Sequence, residues 1–182
     1  MANINVIQLF TIGYITENSI ININDFFNCL KFYEIKSFID IRINPMPQHY
    51  PEYDRGHLHQ FCENNNIIYH WAGTQLGNFY ANNEKSRHER LIDKPLRAYA
   101  DYMETTNFQI AATQIINMAK KARLVLFSDS IYPENNFRIL LSDYLLLKGI
   151  QVTHIISIND IREHLLHKNA RRESIELVYD KG

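Results

Sequence analysis

The sequence has few cysteines, no excess of charge of either sign and no long apolar run, and each shortage excludes a class of protein. Its two cysteines, Cys29 and Cys62, lie far apart and match no metal-binding or redox spacing. A disulfide scaffold is therefore not expected, and a reducing compartment is the natural location. The formal net charge of -1 supplies no overall basic field for nucleic acid or membranes, although it permits a local basic patch.

Signals for targeting and for membrane insertion are also lacking. The first residues contain no basic segment followed by an apolar stretch of signal-peptide length. No apolar run is long enough to span a bilayer. We therefore expect a cytoplasmic protein without membrane contact, folded as a single domain over residues 1–182, since a chain of this length buries a sizeable core unaided.

Strand-like and helix-like segments alternate along the chain. Five short apolar runs are typical of buried strands: 6–12, 37–43, 67–71, 123–127 and 152–157. The segments between them have the apolar spacing of helices. This order predicts an α/β fold, a Rossmann-like three-layer sandwich with a mostly parallel five-stranded sheet and helices on both faces. We further expect a short last helix capped by Asn159, an edge strand at 176–179 and an irregular polar stretch at 73–90.

Ligands of such sheets bind beyond the carboxyl ends of the strands, and the residues expected there follow from the sequence. The second strand carries Asp40 and Arg42, which share a face because they are two residues apart. The next segment, the proline loop of residues 44–56, contributes Tyr53 and Arg55. The later strands and the helix between them add four candidates: Ser128, Ser130, Arg138 and His154.

Asp40 and Arg42 permit two interpretations, because buried ion pairs serve structure as well as function. In a functional pair, the planar guanidinium of Arg42 binds a phosphate or a carboxylate. In a structural pair, the two side chains fix the proline loop. If Arg55 and Arg138 lie close to Arg42, three guanidinium groups around one cleft would suit an anion such as a phosphate.

Two other kinds of chemistry have weaker support. The four histidines between positions 49 and 70 follow no standard metal-ligand spacing, so we predict no metal and no cofactor. Ser128, Asp129 and His154 contain the side chains of a hydrolytic triad, but no nucleophile-elbow pattern surrounds Ser128. A triad is therefore not predicted.

Short motifs occur in a defined order along almost the whole chain. Their residues are Thr11, Ile12, Gly13, Asp40, Arg42, Pro45, Pro51, Tyr53, Arg55, Leu76, Gly77, Tyr99, Ala100, Tyr102, Met103, Phe108, Gly149, His154, His164, Ala170, Arg171 and Tyr179. In this order they resemble the bacterial and archaeal family called domain of unknown function 488. The resemblance implies a fold and a site rather than an activity.

The chain departs from the family pattern within the expected site. After the fourth strand the family commonly has Cys-x-Glu, where this chain has Ser128, Asp129 and Ser130. The next helix opens with residues 136–138, Asn-Phe-Arg, in place of Cys-His-Arg, and Tyr14 replaces a histidine. Serine without a positioned base replaces neither the nucleophilic nor the metal-binding role of a thiolate. Chemistry that depends on those thiols is thus excluded here, whereas anion binding is not.

Three hypotheses follow. The first is a binding protein with a degenerate active site, whose ligand is a phosphate-bearing small molecule, a nucleotide or a nucleic-acid end held by the three arginines. The second is a hydrolase or transferase acting on nucleotides or nucleic acid, with Asp40 as acid or base and His154 as its partner. The third is a protein-interaction module that uses the stretch 73–90. The sequence leaves the oligomeric state open.

Overall fold

The computed structural model describes residues 7–77 and 85–181 of the 182-residue chain. Residue 6, the first of the predicted first strand, lies outside the described residues. Residues 78–84 also lie outside them, so the hypothesis of a partner surface at 73–90 falls only partly within the described structure.

Six described strands form the main sheet, and their bounds are β1 Gln8–Ile12, β2 Ser37–Asp40, β3 Ile68–Trp71, β4 Leu124–Phe127, β5 Gln151–Ser157 and β6 Asp160–Glu163. Their spatial order is β3-β2-β4-β1-β5-β6. The first five strands run parallel to their neighbours, whereas β6 is antiparallel to β5. This mostly parallel sheet confirms the predicted Rossmann-like α/β fold.

Helices cover both faces of the sheet, and their bounds are α1 Ile23–Phe32, α2 Arg55–Asn64, α3 Gly73–Leu76, α4 Lys94–Met103, α5 Thr106–Ala119 and α6 Arg138–Leu147. Phe10 and Phe38 pack against α1 and α2 on one face. Leu9 and Ile39 pack against α4, α5 and α6 on the other. Because successive side chains of a strand point to opposite faces, both faces of the central strands are buried, which explains their continuous apolar runs.

The prediction of five strands and a last helix is wrong at one element. Residues Asp160–Glu163 form β6, the sixth strand, instead of a helix capped by Asn159. Asn159 lies in a hairpin loop whose first paired residues are Ser157 and Asp160. Pairing with β5 satisfies backbone groups at the open edge of that strand, which a short helix would leave unbonded.

A separate two-stranded hairpin follows, formed by β7 Ala170–Glu173 and β8 Glu176–Tyr179. The strand predicted at 176–179 is present, but it pairs with β7 rather than with an edge of the main sheet. Leu177 and Tyr179 belong to the same core cluster as the buried side chains of α6. The hairpin is therefore attached to the face of the sheet that α6 covers.

Local sequence signals determine where the helices begin and end. The Asp54 side chain caps α2, because its Oδ1 accepts a hydrogen bond from the Gly56 N–H at 2.7 Å. Helix α6 is followed by Gly149 with φ +81°, a conformation that glycine adopts without strain. Within the described residues, no helix is long and apolar enough to cross a membrane.

Candidate functional site

The crevice between the loops that follow β1 and β4 is closed by backbone hydrogen bonds. The N–H groups of Tyr14 and Ile15 both donate to the Asp129 carbonyl at 2.9 Å, and the Ile131 N–H donates to the Ile15 carbonyl at 2.8 Å. A Cβ on Gly13 would lie 1.8 Å from the Ser130 carbonyl oxygen, so only glycine permits this approach. The loops after the two strands therefore leave no room there for a ligand.

Arg138 lies beneath this closed crevice and is fully buried. Its Nη1 donates to the Ile12 carbonyl at 2.7 Å and to Ser128 Oγ at 3.0 Å, and its Nη2 donates to the Ile131 carbonyl at 3.0 Å. Burial lowers the pKa of this guanidinium to about 9. Arg138 thus joins the two loops from within, and a ligand in solution cannot reach it without rearrangement.

The two candidate serines are also engaged within the protein. Ser128 is completely buried and accepts the hydrogen bond from Arg138. The Ser130 hydroxyl donates to the Tyr132 carbonyl at 3.0 Å. Among the described residues, neither hydroxyl has a histidine as its hydrogen-bond partner, so the structure shows no base that would activate either as a nucleophile.

Asp40 and Arg42 form a buried, bidentate ion pair. Arg42 Nε donates to Asp40 Oδ1 at 2.9 Å and Nη2 donates to Oδ2 at 2.7 Å. The Arg42 N–H and the Tyr69 hydroxyl also donate to this carboxylate, at 3.1 and 2.8 Å. The remaining Arg42 Nη1 donates to the Tyr53 carbonyl at 2.9 Å. Asp40 and Arg42 are 0% and 2% exposed, and through Tyr53 the pair holds the proline loop.

This geometry bears on the hypothesis that Asp40 acts as acid or base. That role requires a carboxyl group that faces an open pocket and is free of a saturating arginine contact. Asp40 accepts four hydrogen bonds and has no exposed surface. The structure therefore matches the structural interpretation of the pair better than the catalytic one.

Tyr53 contributes to the packing beneath the proline loop. Its ring stacks on that of Tyr14 with a centroid distance of 4.1 Å, and its hydroxyl donates to the Ile21 carbonyl at 2.8 Å. Burial raises the pKa of both phenols, that of Tyr14 to about 12. Tyr53 is completely buried, so its side chain is not available to a ligand in this conformation.

His154 belongs to a buried hydrogen-bond chain on the face of the sheet that α6 covers. Its Nδ1 is 2.7 Å from the Thr11 hydroxyl, and its Nε2 is 3.0 Å from His164 Nδ1. His164 Nε2 lies 2.8 Å from Asp143 Oδ1, and the Tyr179 hydroxyl donates to Asp143 Oδ2 at 2.9 Å. These groups satisfy one another's hydrogen bonds. This hydrogen-bond chain links β1, β5, α6 and β8, and none of its groups is directed at Asp40.

An open cleft lies at the carboxyl edge of the sheet. It has a volume of about 670 Å³ and lies beside β3, between the proline loop and the first turns of α2. Its lining residues are Ile43, Pro45, Met46, Asp54, Arg55, Gly56, His59, Tyr69, His70 and Trp71. This volume is within the range of small-molecule sites, roughly 300–1,000 Å³. Of the predicted site residues, only Arg55 lines it.

Arg55 differs from the other two arginines because its guanidinium is exposed and uncommitted. Its Cζ lies 4.9 Å from the centroid of the Trp71 ring, a cation–π contact. Among the described residues, none accepts a hydrogen bond from the Arg55 side chain or forms an ion pair with it. The Arg55 N–H donates to the Pro45 carbonyl at 2.8 Å, which fixes the backbone that carries it. Its five side-chain donors therefore remain available to an anion.

Trp71 is held in place by the buried pair. Its indole Nε1 donates to the Arg42 carbonyl at 2.8 Å, while its ring remains half-buried at the cleft. Arg42 thus bonds to the Tyr53 carbonyl on one side and accepts from Trp71 on the other. The buried arginine fixes both walls of the cleft without lining it.

Asp129 is a further ionisable group at this edge of the sheet. The residue is exposed, and the Tyr14 hydroxyl donates to its Oδ1 at 3.3 Å. Although the residue is exposed, surrounding atoms partly desolvate its carboxyl group and raise its pKa, and the charge of Arg42 and the Tyr14 hydrogen bond offset this only in part. The sequence suggests Asp129 only as a member of a triad, because the exposure of this residue cannot be recognised from the sequence.

The sequence predicted no ligand-binding role for His59, His70 or Trp71, although both histidines were candidates for a metal site. The sequence signal for these residues was weak, because β3 has the pattern of a short apolar strand. Only the position of β3 at the sheet edge exposes alternate side chains. His59 lies one helical turn after Arg55, so the two share a face of α2. Among the described residues, no group of three or more His, Cys, Asp or Glu side chains is placed to hold a metal ion.

Comparison with known proteins supports the family resemblance. No curated protein and no solved structure matches the chain. The family model described as domain of unknown function DUF488 matches residues 22–145, more than half of the chain. This range includes the proline loop, β2, β3 and β4, whereas β1 and β5 complete the same sheet from outside it. The chain therefore belongs to the family of domain of unknown function DUF488.

Proposed function

We propose that this protein binds an anionic, phosphate-bearing ligand in the cleft beside β3, with Arg55 as the principal anion contact. The observation that carries the proposal is the contrast between the three predicted arginines. Arg42 and Arg138 are buried and bonded within the protein, whereas Arg55 is exposed and its side-chain donors have no described partner. A guanidinium in that state suits a phosphate or carboxylate, which it binds through two parallel N–H groups.

The contact with Trp71 supports a binding role for Arg55. The cation–π contact with the indole restrains the position of the guanidinium, while its N–H donors have no partner among the described residues. Pre-orientation of this kind reduces the entropy lost when a ligand binds. The imidazoles of His59 and His70, both exposed and both lining the cleft, supply further hydrogen-bonding groups.

Under this proposal Arg42, Asp40 and Arg138 are positioning residues. The Asp40–Arg42 pair holds the proline loop through the Tyr53 carbonyl and fixes Trp71 through the Arg42 carbonyl. Arg138 fixes the neighbouring loops after β1 and β4. The anion site of the first hypothesis is thereby reduced from three arginines to one. We also propose a cytoplasmic location, which the two free, buried cysteines support.

Fluorescence of Trp71 provides the test, because it is the single tryptophan in the sequence. Inorganic phosphate, ribose 5-phosphate, adenosine monophosphate (AMP) and a short single-stranded oligonucleotide are titrated while Trp71 emission is recorded. We expect a saturable change with at least one phosphate compound. Arg55→Gln should weaken binding at least tenfold, since a charge-assisted hydrogen bond contributes roughly 1.5–3 kcal/mol.

The matched control is Arg172→Gln, an exposed arginine on β7, outside the residues that line the cleft. Because Arg55→Gln itself alters the surroundings of Trp71, affinities are confirmed by calorimetry. Equal affinity in the Arg55→Gln variant and the wild type, or no binding of any probe to folded protein, would contradict the proposal.

A further inference from the structure

We infer that the ligand of the cleft carries a flat heteroaromatic base, so that its class is a nucleotide rather than a phosphorylated sugar. This inference depends on the proposed function, since it concerns the part of the ligand that Arg55 does not bind. The evidence is the chemistry of the surfaces beside Arg55: an apolar wall, an aromatic stack and an unpaired strand edge.

The apolar wall is formed by the start of the proline loop. Ile43 and Met46 line the cleft and are 39% and 64% exposed, and Pro45 completes the wall. Large apolar side chains at the mouth of a cleft gain stability when a ligand covers them. A sugar phosphate presents hydroxyl groups on most of its surface and would leave this wall without an apolar partner.

The stack of Arg55 on Trp71 faces the same cleft. Bases stack on aromatic side chains and on guanidinium planes alike, so a base inserted against this pair extends an existing stack. The His59 ring, 5.4 Å from the Tyr69 ring and tilted by 60° to it, adds a second aromatic surface to the cleft. Arg55 can stack through its face and still donate to a phosphate through its edge.

The outer edge of β3 supplies groups that can recognise a base. The Ile68 and Ala72 N–H groups donate to the Lys36 and Asp40 carbonyls on the β2 side. Parallel strands alternate the direction of their backbone groups, so those of Tyr69 and Trp71 point away from β2. Within the described parts of the chain, no residue bonds to them. An N–H and a C=O side by side match the acceptor and donor pair on the edge of a base.

The two edges of the sheet are consistent with this assignment. β6, at the opposite edge, contains Asp160, Arg162 and Glu163, charged residues of the kind that keep an edge strand in contact with water. β3 has the sequence Ile-Tyr-His-Trp, with no acidic residue, lysine or arginine. Its backbone is therefore suited to a flat partner that is partly apolar.

The experiment compares ligands that differ only in the base. Dissociation constants are measured by calorimetry for the four nucleoside monophosphates of RNA and for ribose 5-phosphate. We expect at least one nucleotide to bind roughly 5- to 150-fold more tightly than ribose 5-phosphate, the range that stacking of one base produces. Met46→Ser should reduce that ratio, because it weakens binding of the nucleotide more than binding of ribose 5-phosphate. Leu165→Ser, which changes an 80% exposed leucine outside the cleft lining, is the matched control.

The possible results separate the two proposals. If ribose 5-phosphate binds as tightly as every nucleotide and depends on Arg55, base recognition is wrong and the anion site stands. If a nucleotide binds more tightly but Met46→Ser and Leu165→Ser behave alike, the base lies elsewhere and the inference is also wrong. If neither class binds, or if binding ignores Arg55→Gln, both proposals fail.

Discussion

His154 makes the stability of this fold sensitive to mild acid. Burial, with smaller effects from the charges of Arg138, His164 and Arg162, lowers its pKa from 6.5 to about 3. The hydrogen bonds agree with a neutral ring. Asp143 accepts from the Tyr179 hydroxyl, so the His164 N–H can be directed at Asp143 and the His154 N–H at His164.

The sign of the effect follows from the two pKa values. The folded pKa lies below that of the unfolded chain, so the unfolded state binds more protons between about pH 3 and pH 6.5. The contribution to stability is complete above this window and is lost as the pH falls through it. Between pH 7.5 and pH 5 the loss is about 2 kcal/mol, from 1.5 pH units at ~1.4 kcal/mol each.

The assay is urea denaturation of the wild type and of His154→Gln at pH 7.5 and pH 5. Glutamine keeps hydrogen-bonding capacity but cannot take up a proton. The wild type should lose about 2 kcal/mol more than the variant on acidification, whereas His59→Gln, which alters an exposed histidine, should lose as much as the wild type. Equal losses in the wild type and His154→Gln would refute the reasoning. If His154→Gln does not fold, NMR titration of the wild type decides, because the His154 ring should not titrate above pH 5.

Two further substitutions test the buried framework of the site. Asp40→Asn leaves the buried Arg42 charge without its carboxylate and should lower the free energy of unfolding by roughly 3–5 kcal/mol; in urea denaturation, Asp160→Asn, which breaks a surface ion pair with Arg162, should cost less than about 1 kcal/mol. Gly13→Ala places a methyl group 1.8 Å from the Ser130 carbonyl and should lower the thermal midpoint by more than 10 °C or prevent folding, whereas an unchanged midpoint would show that the loops after β1 and β4 are not held together.

The positions of the central strands along the chain could be predicted, because β1, β2, β4 and β5 are buried on both faces of the sheet. Such strands require continuous apolar runs, and these are visible in the sequence. The error at β6 has a physical cause: Asp160–Glu163 is polar and short, so neither helical nor strand periodicity is expressed in it. Its structure is determined by the open edge of β5, a tertiary feature that no local pattern encodes.

The sequence predicted which residues lie near the site, but it did not predict how they are arranged. Asp40 and Arg42 could be recognised because charges within a buried strand must meet a partner. The sequence does not show which arginine is exposed to solvent, because Arg42, Arg55 and Arg138 have the same chemistry and differ only in their burial in the folded protein. The exposure of Trp71 could not be predicted either, because it depends on β3 being at the sheet edge.

The most direct test of the account is the ¹⁵N NMR signal of the arginine side chains as AMP is added. We predict that the Nε–H resonance of Arg55 shifts with saturation, while those of Arg42 and Arg138, whose side chains are buried within the protein, stay in place. A shift of the Arg42 or Arg138 resonance with Arg55 unchanged would contradict it, because the anion would then bind at the buried pair or the closed crevice rather than in the cleft.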